Sequence, residues 1–259
     1  MKYKLMMQAL LLSVLGSCYV GAMADTFDAR VSWARKVALG LPVSGVVSHT
    51  RAQVGGRVKQ GEELLALEDT LFKAELNQAL AAIARQKINL KAARRDLAQA
   101  QELYDRIVLS TVALEEAKEK VARVEADLRS ARAQKSKALY RLSRSRIVAP
   151  FDAWVLARHI AAGQTVVSEL EARTLIELAA VGEYLARFEA TADDLKQIQL
   201  GQTVSVRAEG ASVNGAIASI SLEPVKGAAG HAPMYAVTVQ FSFDDKLLRA
   251  GQTVSVETS

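Results

Sequence analysis

The chain has little of what stabilises small secreted folds or builds most active sites. Its only cysteine in 259 residues is Cys18, so no internal disulfide can form and packing must hold the fold together. Aromatic residues make up 5% of the sequence, which argues against a large aromatic core, while alanine is heavy in the middle of the chain. Glycine and proline are absent between Gly61 and Pro150, which removes the usual helix breakers from that segment. The net charge is +5, but acids and bases interleave along 85–146 and read as a solvated helical surface. No set of stacking aromatics accompanies them, so nucleic acid is not an expected partner. His49, His159 and His231 lie in separate segments without metal-ligand spacing. There is no Gly-Lys-Ser/Thr phosphate loop and no nucleophile paired with a base. No catalytic residue, metal site or cofactor is predicted, and the chain is not expected to be an enzyme.

Long apolar runs are also missing, apart from one short run at the start. Lys2 and Lys4 precede the apolar stretch Leu5–Leu15, and Ala22-Met23-Ala24 stands before Asp25. This is the pattern of a secretory leader over 1–24, and its apolar run is too short for a permanent span. Cys18 has two readings: apolar filler removed with the leader, or the acylated cysteine of a lipobox-like Leu15-Gly16-Ser17-Cys18. The mature chain is expected to be exported, either soluble or lipid-anchored.

Residues 26–69 alternate with the period of strands. Val37, Leu39 and Leu41 lead to Pro42, then Val43–Val47 resumes, and a turn-rich Gly55–Gly61 precedes Leu64–Leu67. At Asp69-Thr70 the period changes. Leu76, Ile83, Leu90, Leu97 and Tyr104 recur every seven residues, with Ala79, Gln86, Ala93 and Ala100 as a companion row. One helix is predicted from about Leu71 to Asp105, roughly 50 Å long at 1.5 Å per residue. After a break at 106–111, which Ser110 or Thr111 can cap, the rule repeats. Leu114, Val121, Leu128, Lys135 and Leu142 form one row, and Ala117, Val124, Ala131 and Ala138 the other. Two matched helices joined by a short turn must run antiparallel.

Strand character returns at Ile147. Both Arg57–Leu65 and His159–Val167 place a branched residue shortly before a glycine and an apolar pair after it, which equates Gly61 with Gly163. One β-module made of two similar halves, with the helical hairpin inserted between them, is the economical arrangement. Beyond it, Gly-Gln-Thr-Val-Ser-Val occurs identically at Gly201 and Gly251. Further short strands and a small helix over 192–198, capped at Thr191 with Asp194 in the capping-box position, point to a compact β-barrel.

This order of segments resembles the membrane fusion proteins, the HlyD-like periplasmic adaptors. Val54–Asp69 (VGGRVKQGEELLALED) resembles the family's first lipoyl half-motif. Ile147–Val155 (IVAPFDAWV) resembles the second, with Ala153 where that motif usually has glycine. LRAGQTVSV at Leu248–Val256 resembles a strand start of the family's barrel, as does Leu200–Val206. The resemblance implies an elongated, multidomain α+β fold. Its parts would be a leader at 1–24, an N-terminal strand region at 25–42 contributing to the barrel, and a first lipoyl-like half at 43–69. A coiled-coil hairpin at 70–146, a second half at 147–179 and the β-barrel at 180–259 complete it. It implies residence in the periplasm at the inner membrane; the family often adds a membrane-proximal domain after the barrel, which is expected to be absent or minimal here because the sequence stops at Ser259. Lipoate and biotin attach to a lysine between such halves, a place taken here by the hairpin, so the carrier reading has no lysine to use. The implied partners are an inner-membrane transporter, an outer-membrane channel and further copies of the chain in a ring or funnel. The transporter would be of the resistance-nodulation-division (RND) class, with an ATP-driven system or a coiled-coil scaffold outside transport as alternatives. The family docks the channel through a tip pattern of arginine, leucine and serine. Leu103 and Ser110 match it, and Gln99 stands at the arginine position.

Overall fold

The computed structural model describes residues 25–168, 173–225, 232–244 and 247–258. The leader, Cys18 and His231 lie outside them. In chain order the first strands are β1 (Asp25–Trp33), β2 (Lys36–Leu39), β3 (Gly45–Thr50), β4 (Arg57–Val58) and β5 (Glu63–Leu67). Helices α1 (Thr70–Asp105) and α2 (Thr111–Ser143) follow, then β6 (Arg146–Val148), β7 (Ala153–Arg158), β8 (Thr165–Val166) and β9 (Ile176–Ala180). The last strands are β10 (Glu183–Thr191), β11 (Thr203–Ala208), β12 (Ala211–Val225), β13 (Met234–Ser242) and β14 (Thr253–Thr258). Two compact units result, one of 35–181 and one joining β1 to 182–258. In the first, two four-stranded sheets, β6-β5-β3-β8 and β2-β9-β7-β4, carry the inserted hairpin; in the second, a closed barrel runs β1-β10-β13-β12-β11-β14.

The two sheets are related copies. The shift that carries Gly55 onto Gly163, both at positive φ, also carries β3 onto β7 and β4 onto β8. The pairing is crossed: β3 bonds to β8 of the other half, and β7 to β4. This corrects the sequence register, which equated Gly61 with Gly163. Each of these glycines occupies a turn next to a branched residue, and only the strand pairing distinguishes them. Ala153 stands where Gly45 stands in the first half, and its methyl is fully buried in β7, so the departure from glycine is absorbed by the strand. The core between the sheets gathers Val47, Val58, Leu64, Leu65, Val155, Ile176 and Leu178.

The N-terminal region does not go to the barrel as a whole. β1 does, paired with β10 and β14, but Lys36–Leu39 pairs with Ile176–Ala180 in the sandwich unit. The change of unit falls at Ala34, after which the Arg35 carbonyl accepts the Ala180 N–H and the Arg35 guanidinium lies 4.1 Å over the Phe151 ring. Alternating Val37 and Leu39 suit either sheet, and the ladder partner decides.

One turn recurs across both units. In 59–62, 161–164, 199–202 and 249–252 the first carbonyl accepts the fourth N–H. The third residue is a glycine with φ of 80–88°, as a type II turn requires. The fourth side chain, Glu62, Gln164, Gln202 or Gln252, accepts the first residue's N–H at 2.9–3.0 Å. The repeated Gly-Gln-Thr-Val-Ser-Val is therefore a turn that starts a barrel strand. The strands it starts, β11 and β14, are antiparallel neighbours, with Val206 opposite Val256.

The barrel interior is filled by alternate residues, among them Val31, Ala186, Val206, Val239 and Val256. Gly215 is required there, because a Cβ at that position would lie 2.7 Å from Val239 Cγ1. The predicted helix at 192–198 is a single 3-10 turn, Asp194–Lys196, closed as foreseen by Thr191 and Asp194: the Asp194 carboxylate accepts the Thr191 N–H and hydroxyl at 2.8 Å. Tyr184 is buried between Trp33 and Phe241, and its hydroxyl accepts the Leu248 N–H at 3.2 Å. Burial pushes its phenol pKa up. The folded barrel thus favours the protonated phenol, and stability present below the ordinary tyrosine pKa of about 10 is lost as the pH rises through the folded value. Tyr184→Phe should abolish this extra alkaline loss. At neutral pH it should cost about 1–3 kcal/mol, because the buried Leu248 N–H loses its acceptor. Denaturant melts of both proteins at neutral and alkaline pH would check both effects.

Candidate functional site

The hairpin grows from the sandwich core. Phe72 belongs to that core and Leu142 packs on it, and the buried Ser145 carbonyl accepts the Leu67 N–H at 2.8 Å. The Arg141 Nη1 donates to both Glu75 carboxylate oxygens at 3.0 Å. Further out, Lys120–Asp96 and Arg94–Glu125 bridge the helices at 2.8 and 2.7 Å, and the ammonium of Lys120 holds the Asp96 carboxyl below its ordinary pKa. These exposed pairs, screened by solvent, fix register more than stability. The alanine rows do the close packing: Ala79, Ala93, Ala131 and Ala138 are buried, with Leu114 and Leu128. The leucine row of α1 is only half-buried from Leu76 to Leu97. Its last predicted member, Tyr104, in the last turn of α1, is exposed.

The tip is built from two caps. At the end of α1 the Val108 N–H reaches the Leu103 carbonyl at 3.0 Å and the Ile107 N–H reaches the Tyr104 carbonyl at 2.8 Å. This is the Schellman pattern. The residue forced into the left-handed region is Ile107, with φ 62°, where glycine is usual and a β-branched side chain is an outlier. The cost is about 1–2 kcal/mol. Three residues on, Ser110 caps α2, its hydroxyl accepting the Ala113 N–H at 3.2 Å.

These caps place Leu103 and Ser110 on either side of the turn. Ser110 is occupied as a cap, and Leu103, 41% exposed, lends its carbonyl to the Schellman bond. Sequence reasoning passed over their neighbours: Ile107 is 94% exposed, Val108 72% and Val112 68%. A signal was present, since three consecutive apolar residues, Ile107-Val108-Leu109, fill a break where Gly, Asn, Asp or Ser is ordinary. Around them Arg106 pairs with Glu102, Lys118 with Glu115, and Gln101 donates to Asp105.

Elsewhere, each half of the sandwich carries a carboxylate shared by a histidine and a fixed cation. Glu63 meets His49 Nε2 at 2.9 Å and Arg146 at 3.4 Å; Glu177 meets Lys36 at 2.7 Å and His159 Nε2 at 3.3 Å. Hydrogen bonds from Lys36 and then His159 hold the Glu177 carboxyl below its ordinary pKa. Among the described residues no group of three or more His, Cys, Asp or Glu side chains is placed to hold a metal ion, and no helix is long and apolar enough to cross a membrane.

The family model for the CzcB-like barrel-sandwich hybrid domain matches residues 35–177. Multidrug resistance protein MdtA of Escherichia coli (strain SMS-3-5 / SECEC) is 31% identical over 138 residues, which are 53% of this chain and 33% of that protein. The chain thus spans about a third of the length of the curated relatives it matches. MacA of Actinobacillus actinomycetemcomitans superposes with a TM-score of 0.72 at 21% identity, over 91% of this chain and 78% of that one. The membrane fusion protein Spr0693 of Streptococcus pneumoniae R6 gives 0.71 at 16% identity, over 91% and 98%. At such identities these two likenesses establish the fold alone.

Two substitutions should separate strain from capping at the tip. Ile107→Gly relieves the left-handed strain, less the roughly 0.5–1 kcal/mol that glycine's chain entropy costs. It should therefore leave the hairpin as stable as the parent or slightly more so. Ser110→Ala removes the cap and should destabilise by about 1 kcal/mol. Thermal melts followed by helical circular dichroism would read both.

Proposed function

The chain belongs to the CzcB-like barrel-sandwich hybrid family, and from that premise we propose that it is the periplasmic adaptor of a tripartite efflux pump, linking an inner-membrane transporter to an outer-membrane channel. One observation carries the reading: a two-helix hairpin of 36- and 33-residue helices, rooted in a sandwich core, ends in an exposed apolar tip. A helix of that length extends about 50 Å at 1.5 Å per residue, which suits a part that reaches from one partner to another. The multidrug resistance relatives support small-molecule export as the process served. We assign the transporter to the proton-driven RND class on the resemblance already described, and several copies would surround the transport path.

In this reading the protein does its work by joining and sealing. The hairpin tip, with Leu103 and Ser110, meets the channel, while the barrel and sandwich units pack against the transporter and against neighbouring copies. The leader delivers the chain to the periplasm, where Cys18 is either removed or acylated; the mass of the mature N-terminus separates these two fates.

The docking assignment is tested by the double variant Leu103→Arg, Ser110→Asp. Aspartate is itself a good N-cap and arginine suits a helix C-terminus, so the helical signal should be preserved. Resistance in cells that depend on this chain should fall to the level of the deletion strain. Full resistance with a normal amount of variant would remove Leu103 and Ser110 from the interface.

A further inference from the structure

The tip contains one feature that folding alone does not explain. Among the described residues two non-glycines have positive φ, Ile107 at 62° and Glu209 at 47°. Glu209 has a local reason: with Gly210 it forms the two-residue turn between β11 and β12, and such hairpin turns demand positive φ. Ile107 has none. A glycine or asparagine would complete the same Schellman motif without strain, yet the position holds a β-branched apolar side chain that is 94% exposed. Strain kept at an exposed apolar residue marks a place where something binds.

Resting on the adaptor reading, we infer that Ile107 is an apolar key, held at the hairpin apex to enter a hydrophobic socket repeated around the outer-membrane channel. Three observations select that occupant. The exposed side chains of Tyr104, Val108 and Val112 extend the apolar surface, while the nearby cations Arg106 and Lys118 are paired with Glu102 and Glu115, so the apex itself offers apolar contact. The apex is only two helices wide, each about 10–12 Å across. That footprint is far below the roughly 800 Å² per partner of a stable protein pair. A single tip therefore binds weakly, and a lasting complex needs several tips on one partner with repeated sockets. A membrane surface fits poorly, because helices that lie on lipid present unpaired lysine and arginine with tryptophan, and the tip has neither.

The test uses the full chain in the cells that make it, with the photo-crosslinking residue benzoylphenylalanine at position 108 and adducts identified by mass spectrometry. The expected partner is an outer-membrane channel protein. Ile107→Gly should lower the channel adduct by about tenfold, the effect of losing one hot-spot side chain, while melting no lower than the parent. Ile107→Leu, apolar at the same place, should largely retain it. Adducts with a second copy of this chain or with phospholipid, or a channel adduct undiminished in Ile107→Gly, would overturn the inference. If the channel adduct survives Ile107→Gly but disappears in Leu103→Arg, Ser110→Asp, the key falls and the adaptor stands. If position 108 captures no channel protein even with Ile107 intact, the adaptor reading falls with it.

Discussion

Everything distal in this molecule depends on how the chain leaves and re-enters the sandwich. The hydrogen bond from the Leu67 N–H to the buried Ser145 carbonyl ties the strand before the hairpin to the residue after it. Neighbouring β5 and β6 extend that tie as a ladder, with Ala66 opposite Arg146. Phe72 in the first turn of α1 and Leu142 in the last turn of α2 anchor the helices to the sandwich core. The hairpin is thus clamped to the sandwich by main-chain bonds and apolar burial at its root. Beyond Glu75–Arg141 its two helices are held to each other by the buried alanines with Leu114 and Leu128 and by exposed ion pairs, each of the latter a small contribution. Rigidity is supplied at the root, and the tip is left to meet a partner.

The crossed, repeated sandwich explains why an insertion of this size is tolerated. Because β3 pairs with β8 and β7 with β4, neither half can complete its sheet alone, and the two halves lock across the insertion. The barrel applies the same economy, using one turn with one side-chain cap to start β11 and β14. Small alternating side chains fill its interior around the Tyr184 hydrogen bond.

Local periodicity was legible in the sequence. Heptads located the first helix to within a residue, and the cap at Ser110 or Thr111 marked where the second begins, while its end at Ser143 falls three residues short of the expected hairpin boundary at 146. The duplicated Gly-Gln-Thr-Val-Ser-Val announced two strand starts. What could not be read was non-local. Gly55 and Gly61 each sit in a turn near a branched residue, and their order relative to Gly163 is decided by strands far apart in the chain. Val37 and Leu39 alternate as they would in either unit, so assigning them to the barrel was a choice the pattern could not make. The tip failed for another reason: an isoleucine does not advertise left-handed backbone, because its identity argues against it. The breach of turn chemistry at 107–109 was the visible sign, and it points to binding rather than folding.

The central claim is that the two half-motifs form one self-sufficient module into which the hairpin is inserted. Replacing residues 77–139 by a short Asn-Gly turn keeps Phe72, Glu75, Arg141 and Leu142 while deleting the reach and the tip. Amide hydrogen exchange on this shortened chain is the most direct measurement. Protection of β3, β5, β7 and β9 equal to that in the full chain is the predicted result. Loss of protection in those strands would show that the hairpin helps to fold the sandwich, and would contradict the insertion.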